Sequence, residues 1–173
     1  MGTANITYDK IHSHAHNNIL AILDNRNNVA DPRSPNSTVA NRQFVYDSDP
    51  FLKAVNFLGF PYILLEFPTV TLSKVSVDGK HKEVRWTQKL FVRTARDGNA
   101  NVREGAGRTD MMNICDDILQ TFNSETIKQS LRVVNIFEIK IQIVGTDTIA
   151  LKDKEVYETS FELEYYTRMS VSS

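Results

Sequence analysis

Phe137-Glu138-Ile139-Lys140-Ile141-Gln142-Ile143 alternates apolar and polar side chains at every step. Tyr157 to Tyr165 repeats the pattern, with Tyr157, Phe161, Leu163 and Tyr165 set against Glu158, Ser160, Glu162 and Glu164. Successive side chains of a strand point to opposite faces, so period two predicts two strands with one buried and one polar face. That is the mark of an antiparallel sheet covered by helices on one side. Gly145-Thr146-Asp147 through Lys154 reads as the connection between them.

The same signal recurs upstream. Val84, Trp86, Leu90 and Val92 lie on one face of a strand over about 83–95, with Arg85, Thr87, Lys89 and Arg93 on the other. Asp78-Gly79 predicts a tight hairpin before it. Ile63, Leu65 and Phe67 share a face of the preceding strand. Its phase changes near Pro68 and again near Ser73-Lys74, which predicts a bend or bulge at each. Helices surround these strands. Tyr8, Ile11, Ala15, Ile19, Ile22 and Leu23 form a stripe on a helix over 7–24 capped by Thr7. Asp49-Pro50 opens a short helix that stops at Gly59. Thr109-Asp110 opens another, with Met111, Ile114, Cys115, Ile118, Leu119 and Phe122 on its apolar side, and 124–131 adds a short helical turn. Residues 25–42 hold five Asn and two Pro and read as a long loop, as do residues 96–107. The expected fold class is α+β, an antiparallel sheet of two long β-hairpins with helices packed on one face, in a single domain over 1–173.

Composition narrows function. A chain of 173 residues supports a core without disulfides or metal, and its 20 Lys and Arg nearly balance 21 Asp and Glu. A strongly cationic nucleic-acid binder is disfavoured. The single Cys115 excludes a disulfide within the chain and a cysteine-based zinc site. No apolar run approaches the ~18 residues of a membrane span, so a soluble protein assembled in a reducing cytoplasm is expected.

The chemistry-bearing residues do not converge. His12 and His16 lie one helical turn apart, a metal-compatible spacing, but His14 points away and no zinc-protease glutamate intervenes; a polar helix face is the expectation. Glu158, Glu162 and Glu164 share a strand face, where like charges favour a cationic partner or simple solvation. Gly105-Ala106-Gly107-Arg108-Thr109 lacks the lysine and spacing of a phosphate loop. Arg93, Arg96, Arg103 and Arg108 gather near one loop. Cys115 and Trp86 fall on apolar faces and read as core. No catalytic residue, cofactor site or metal site is assigned.

A strand of about 13 residues spans roughly 43 Å, while a domain of this length has a radius of gyration near 16 Å. Such strands reach across the body or project beyond it, and self-association is expected.

An N-terminal amphipathic helix, a long hairpin, a helix opened by Thr109-Asp110 and a closing hairpin ending in Val156-Tyr157-Glu158-Thr159-Ser160-Phe161-Glu162-Leu163-Glu164-Tyr165 resemble the tail terminator proteins of long-tailed bacteriophages. The loop at 25–42 and the helix near 50–58 depart from the small members. The resemblance implies a virion structural protein, not an enzyme, that forms a ring, commonly a hexamer. The ring caps the tail tube, meets the head-completion connector and passes DNA through its lumen without reading it. Loop polarity together with the resemblance points to Asp78, Lys80, His81 and Lys82, and to Arg96, Asp97 and Arg103, as contact regions. The loop at 25–42 would be an arm that orders on assembly. Two alternatives stand beside it: another phage ring component, such as a head–tail adaptor or the tube protein, or a small-ligand-binding or enzymatic α+β domain. The last would need a polar residue facing inward from a strand, for which Asn135 and Thr159 are the candidates.

Overall fold

The computed structural model describes residues 11–28, 44–46, 61–75, 79–95, 106–151 and 154–170. Three strands form its framework: β4 (His81–Ala95), β5 (Phe137–Leu151) and β6 (Lys154–Ser170). β6 runs antiparallel between the other two, pairing His81 with Ser170 at one end of β4 and Ala95 with Val156 at the other. Two strands share the far side of β4. β2 (Tyr62–Leu65) pairs with Leu90–Arg93, and β3 (Thr69–Val75) pairs with Lys82–Thr87. β1 (Phe44–Tyr46) joins β2 in parallel and β5 closes the opposite margin. With α1 (Ile11–Asn28), α2 (Ala106–Asn123) and α3 (Glu125–Val133), the fold is α+β, and all its strand pairings except β1–β2 are antiparallel.

Period two is clearest on the core face of β4 and β6. Val84, Trp86, Leu90 and Val92 of β4 share one core cluster with Phe161, Leu163 and Tyr165 of β6. Ala15, Ile19 and Leu23 of α1 and Met111, Ile114, Cys115, Ile118 and Phe122 of α2 complete it. Burying each such side chain contributes roughly 1.5–3 kcal/mol. Trp86 donates its indole N–H to Thr167 Oγ1 at 2.9 Å, which satisfies the one polar atom of the largest core side chain.

Gln88 interrupts this apolar face between Trp86 and Leu90, fully buried. Its amide accepts from the Tyr165 hydroxyl at 2.8 Å and donates to the Glu66 carbonyl at 2.8 Å. It also donates to Nδ1 of buried His16 at 3.1 Å. His16 stacks on Phe67, with ring centroids 4.0 Å apart. One side chain therefore ties α1, the β2–β3 link, β4 and β6 together. His14 works separately, donating from Nε2 to the Val134 carbonyl beyond α3.

α3 ends in a Schellman motif. Ile136 N–H reaches the Leu131 carbonyl and Asn135 N–H the Arg132 carbonyl, with Asn135 in the left-handed region at φ 68°. Leu131 and Ile136 supply the accompanying buried contact. The Asn135 side chain then imitates a strand, donating to the Arg168 carbonyl and accepting from the Arg168 N–H at 3.1 Å.

Several sequence expectations shift. α1 extends to Asn28, since a polar last turn needs no core contact to continue a helix already formed. α2 starts at Ala106, with Gly107 in its first turn. Gly145-Thr146-Asp147 is not a connection: β5 runs through it to Leu151, and register shifts between Phe137 and Lys140 and between Ile143 and Gly145 absorb the change of phase. The second shift on β3 falls between Val70 and Leu72, earlier than Ser73-Lys74. The helix expected over 50–59, the segment 29–42 and the loop residues 96–105 lie outside the described residues.

Replacing Asn135 with Ala places a β-carbon residue without a compensating side chain in the left-handed region and removes both bonds to Arg168. The expected loss is about 2–3 kcal/mol of unfolding free energy in urea titration, while Asn135→Gly recovers the backbone part alone.

Candidate functional site

The sheet face opposite the core cluster carries charge in rows. Lys89 stands opposite Glu162, Glu83 opposite Arg168 and Lys140 opposite Glu164. Cross-strand neighbours of opposite sign offset the repulsion expected among Glu158, Glu162 and Glu164. Of the four arginines expected near one loop, Arg93 alone has a described side chain. It is 8% exposed, its Nε donates to Glu158 Oε2 at 2.7 Å, and its Nη1 donates to the Tyr62 hydroxyl at 2.9 Å. The guanidinium also lies over the Tyr62 and Phe91 rings. Near the other end of this face, Phe137 stacks on Tyr166 at 5.2 Å, with Arg168 over both rings and Arg85 over Tyr166. A polar groove of about 170 Å³ runs past Thr71, Arg85, Thr87, Lys140 and Glu164.

Exposed apolar side chains gather at the sheet margins. Phe67 and Val70 occupy the β2–β3 side, while Ile143 and Val144 occupy β5 with Met112 of α2 close by. β5 is exposed at every residue from Gln142 to Thr148. Between α2 and the β5–β6 pair lies a cleft of about 540 Å³, walled by Met111, Met112, Cys115, Ile143 and Tyr157, with Asp116, Thr146, Asp147 and Thr148 also lining it.

The thiol in this cleft is poorly set up as a nucleophile. Burial pushes the Cys115 thiol up to about 11, Asp116 adds to the rise, and a hydrogen bond with Thr159 only partly opposes it. The thiol is protonated at neutral pH, the reverse of an activated nucleophile. Burial likewise pushes the Tyr165 phenol above its ordinary value. Of the two inward polar candidates, Asn135 is committed to the Arg168 backbone, and Thr159 lines the cleft.

Among the described residues, no three His, Cys, Asp or Glu side chains converge as a metal site, and no helix is long and apolar enough to cross a membrane. His16 is engaged by Gln88 and His14 by Val134. Of the expected contact residues, Lys80 and His81 are exposed and Lys82 half-buried, at the end of β4 where Gly79 adopts φ 68°. Asp78, Arg96, Asp97 and Arg103 lie outside the described residues. The ends of β4 are about 48 Å apart, so the hairpin tip and the β4 end that precedes Arg96 cannot form one patch. Gln88 was legible as a polar residue on an apolar strand face; Arg93 carried no signal separating it from its solvated neighbours. No protein-family model matches the chain, and no curated protein matches it.

Arg93→Met leaves the Glu158 carboxylate without its guanidinium and should cost about 3 kcal/mol; a double-mutant cycle with Glu158→Gln should return part of that. The raised Cys115 value means the folded state holds its proton more tightly than the unfolded chain does. This contribution is complete below pH 9 and is lost as pH rises toward about 11. Unfolding free energy measured across that window should fall more steeply for the native chain than for Cys115→Ser. Alkylation of Cys115 at pH 8 should be slow until the protein unfolds.

Proposed function

We propose that this chain is a structural ring subunit of a bacteriophage neck, a tail terminator that caps the tail tube and joins it to the head connector. The observation that carries the reading is the ribbon β4–β6–β5. Its strands of 15, 17 and 15 residues reach roughly 50 Å or more, and its margin strand leaves Gln142–Thr148 exposed. A long exposed margin strand is a site of association. In this reading β3–β4 and β5–β6 act as two long hairpins under one helical layer. The chain contributes shape rather than chemistry, which agrees with a cleft whose thiol is held protonated. The near balance of charge suits a lumen that passes DNA without gripping it. Sequence resemblance in element order supports the same assignment, with the tube protein and the head-completion protein as partners and the virion as the final location.

The cleft beside Cys115 favours a second reading, a small-ligand-binding domain. Native mass spectrometry and negative-stain imaging of the purified protein separate the two. Closed rings, with six subunits expected, support the terminator. Open-ended filaments favour the tube protein, and a monomer that persists at high concentration and in the presence of tail tubes favours ligand binding.

A further inference from the structure

The cleft between α2 and the β5–β6 pair has two unlike walls. On the sheet side Tyr157 pairs with Thr148, Thr159 with Thr146 and Phe161 with Ile143. The extra residue at Val144 keeps Ile143 and Thr146 on one face although they stand three apart. This wall therefore offers an apolar surface set with threonine hydroxyls. On the helix side Met112, Cys115 and Asp116 follow at three- and four-residue spacings and share one side of α2. Met112 is 62% exposed, and an unbranched thioether chain adapts to the shape of what it meets.

The charge of the cleft has one sign. Three acidic residues line it, and none of the described residues lining it is basic. Asp147 and Glu158 pair with each other across the ladder and share the outer face, where Glu158 meets Arg93. Asp116 is the acid left on the cleft side. It forms no ion pair or hydrogen bond among the described residues. It also adds to the rise that keeps the Cys115 thiol protonated, so its charge is felt within the cleft and not only in the water outside. A volume of about 540 Å³, mostly apolar walls and a few polar groups are the features of a small-molecule site.

We infer that this cleft binds a small organic amine, with its aromatic or branched apolar part held between Met112, Ile143 and Tyr157 and its ammonium at Asp116. An anionic guest would meet Asp116 and find no cation in the described lining. A purely apolar guest would strip water from Thr146 and Thr148 and give no hydrogen bond in return. The inference names the ligand class for the ligand-binding reading of the cleft and rests on that reading; ring formation neither requires nor forbids it.

Naphthylmethylamine, naphthylmethanol and naphthoate share a ring system and differ in charge, and they serve as probes. Each is titrated into the full chain carrying isotope-labelled methionine methyls, read by NMR. Met111 and Met112 line the cleft, whereas Met169 lies along β6 from Thr159 by about 33 Å. The amine should shift the Met111 and Met112 methyls with a dissociation constant on the order of 1 mM and leave Met169 unmoved. It should bind about fivefold more tightly than the alcohol. Asp116→Asn, at an exposed position where folding should survive, should abolish that preference and leave the alcohol unaffected. Equal binding of amine and alcohol, or tighter binding of naphthoate, overturns the amine assignment while the cleft stands as a ligand site. No methyl shift with any probe overturns both the inference and the ligand-binding reading. Shifts that follow protein concentration with no probe added give the cleft to a second copy and likewise overturn it.

Discussion

Gln88 sits where the fold has least room for a polar group. Its neighbours along the same face of β4 are Trp86 and Leu90, and Leu163 is its partner on β6. A buried amide at such a place is costly unless each of its atoms finds a partner, because the desolvation of a lost bond is not recovered. The partners come from three directions: the His16 ring, the Glu66 carbonyl and the Tyr165 hydroxyl. An apolar core tolerates small slides of one layer over another; a fully committed amide tolerates few. The long strands could pair in several registers on hydrophobicity alone, and Gln88 selects among them by requiring those three groups at once.

The sequence showed the strands better than their ends. Alternation over 137–143 and 157–165 was strong enough to assign both strands, and their faces except at Phe137, which the bulge before Lys140 turns to the charged face beside Tyr166. It failed at Gly145-Thr146-Asp147, where turn-forming residues sit inside a strand. A bulge admits such residues and the composition of a short window cannot distinguish it from a turn. The two helical stripes were legible for the same reason as the strands. Strand β1 was not, because three residues carry no period. The site fared worse. His12, His14 and His16 read as a polar helix face with a metal-compatible spacing between His12 and His16, yet the two whose side chains are described serve packing, His16 by closing a hydrogen bond in the core and His14 by pinning the end of α3. Their role depends on Gln88 and Val134, far along the chain, and no local pattern announces such partners.

Charge was misread in an instructive way. Arg93 belongs to an alternating series with Arg85, Thr87 and Lys89, so the pattern placed it on a polar face and gave no sign of burial. β2 is buried at all four of its residues, and its Tyr62 meets the Arg93 guanidinium at one end of the face. The outer face is therefore not uniform. It is polar and open in its middle and closed by an ion pair and aromatic rings near the Ala95 end. Glu158 accordingly has its cation built in.

β3 and β5 each carry more residues than the strands they border. β3 has one extra residue at Thr71, and β5 gains one between Phe137 and Lys140 and another at Val144. An extra residue at a bulge does not change which way the flanking side chains point, because the pairing resumes in phase on the far side. It does lengthen the edge relative to the centre, and a sheet whose borders outrun its middle must curl. Removing Val144 would heal the ladder and leave every other side chain aimed as before, so curvature here is separable from chemistry. Insertions and deletions at these points would alter the arc of the sheet while sparing its packing, a route by which one set of contacts could serve assemblies of different circumference.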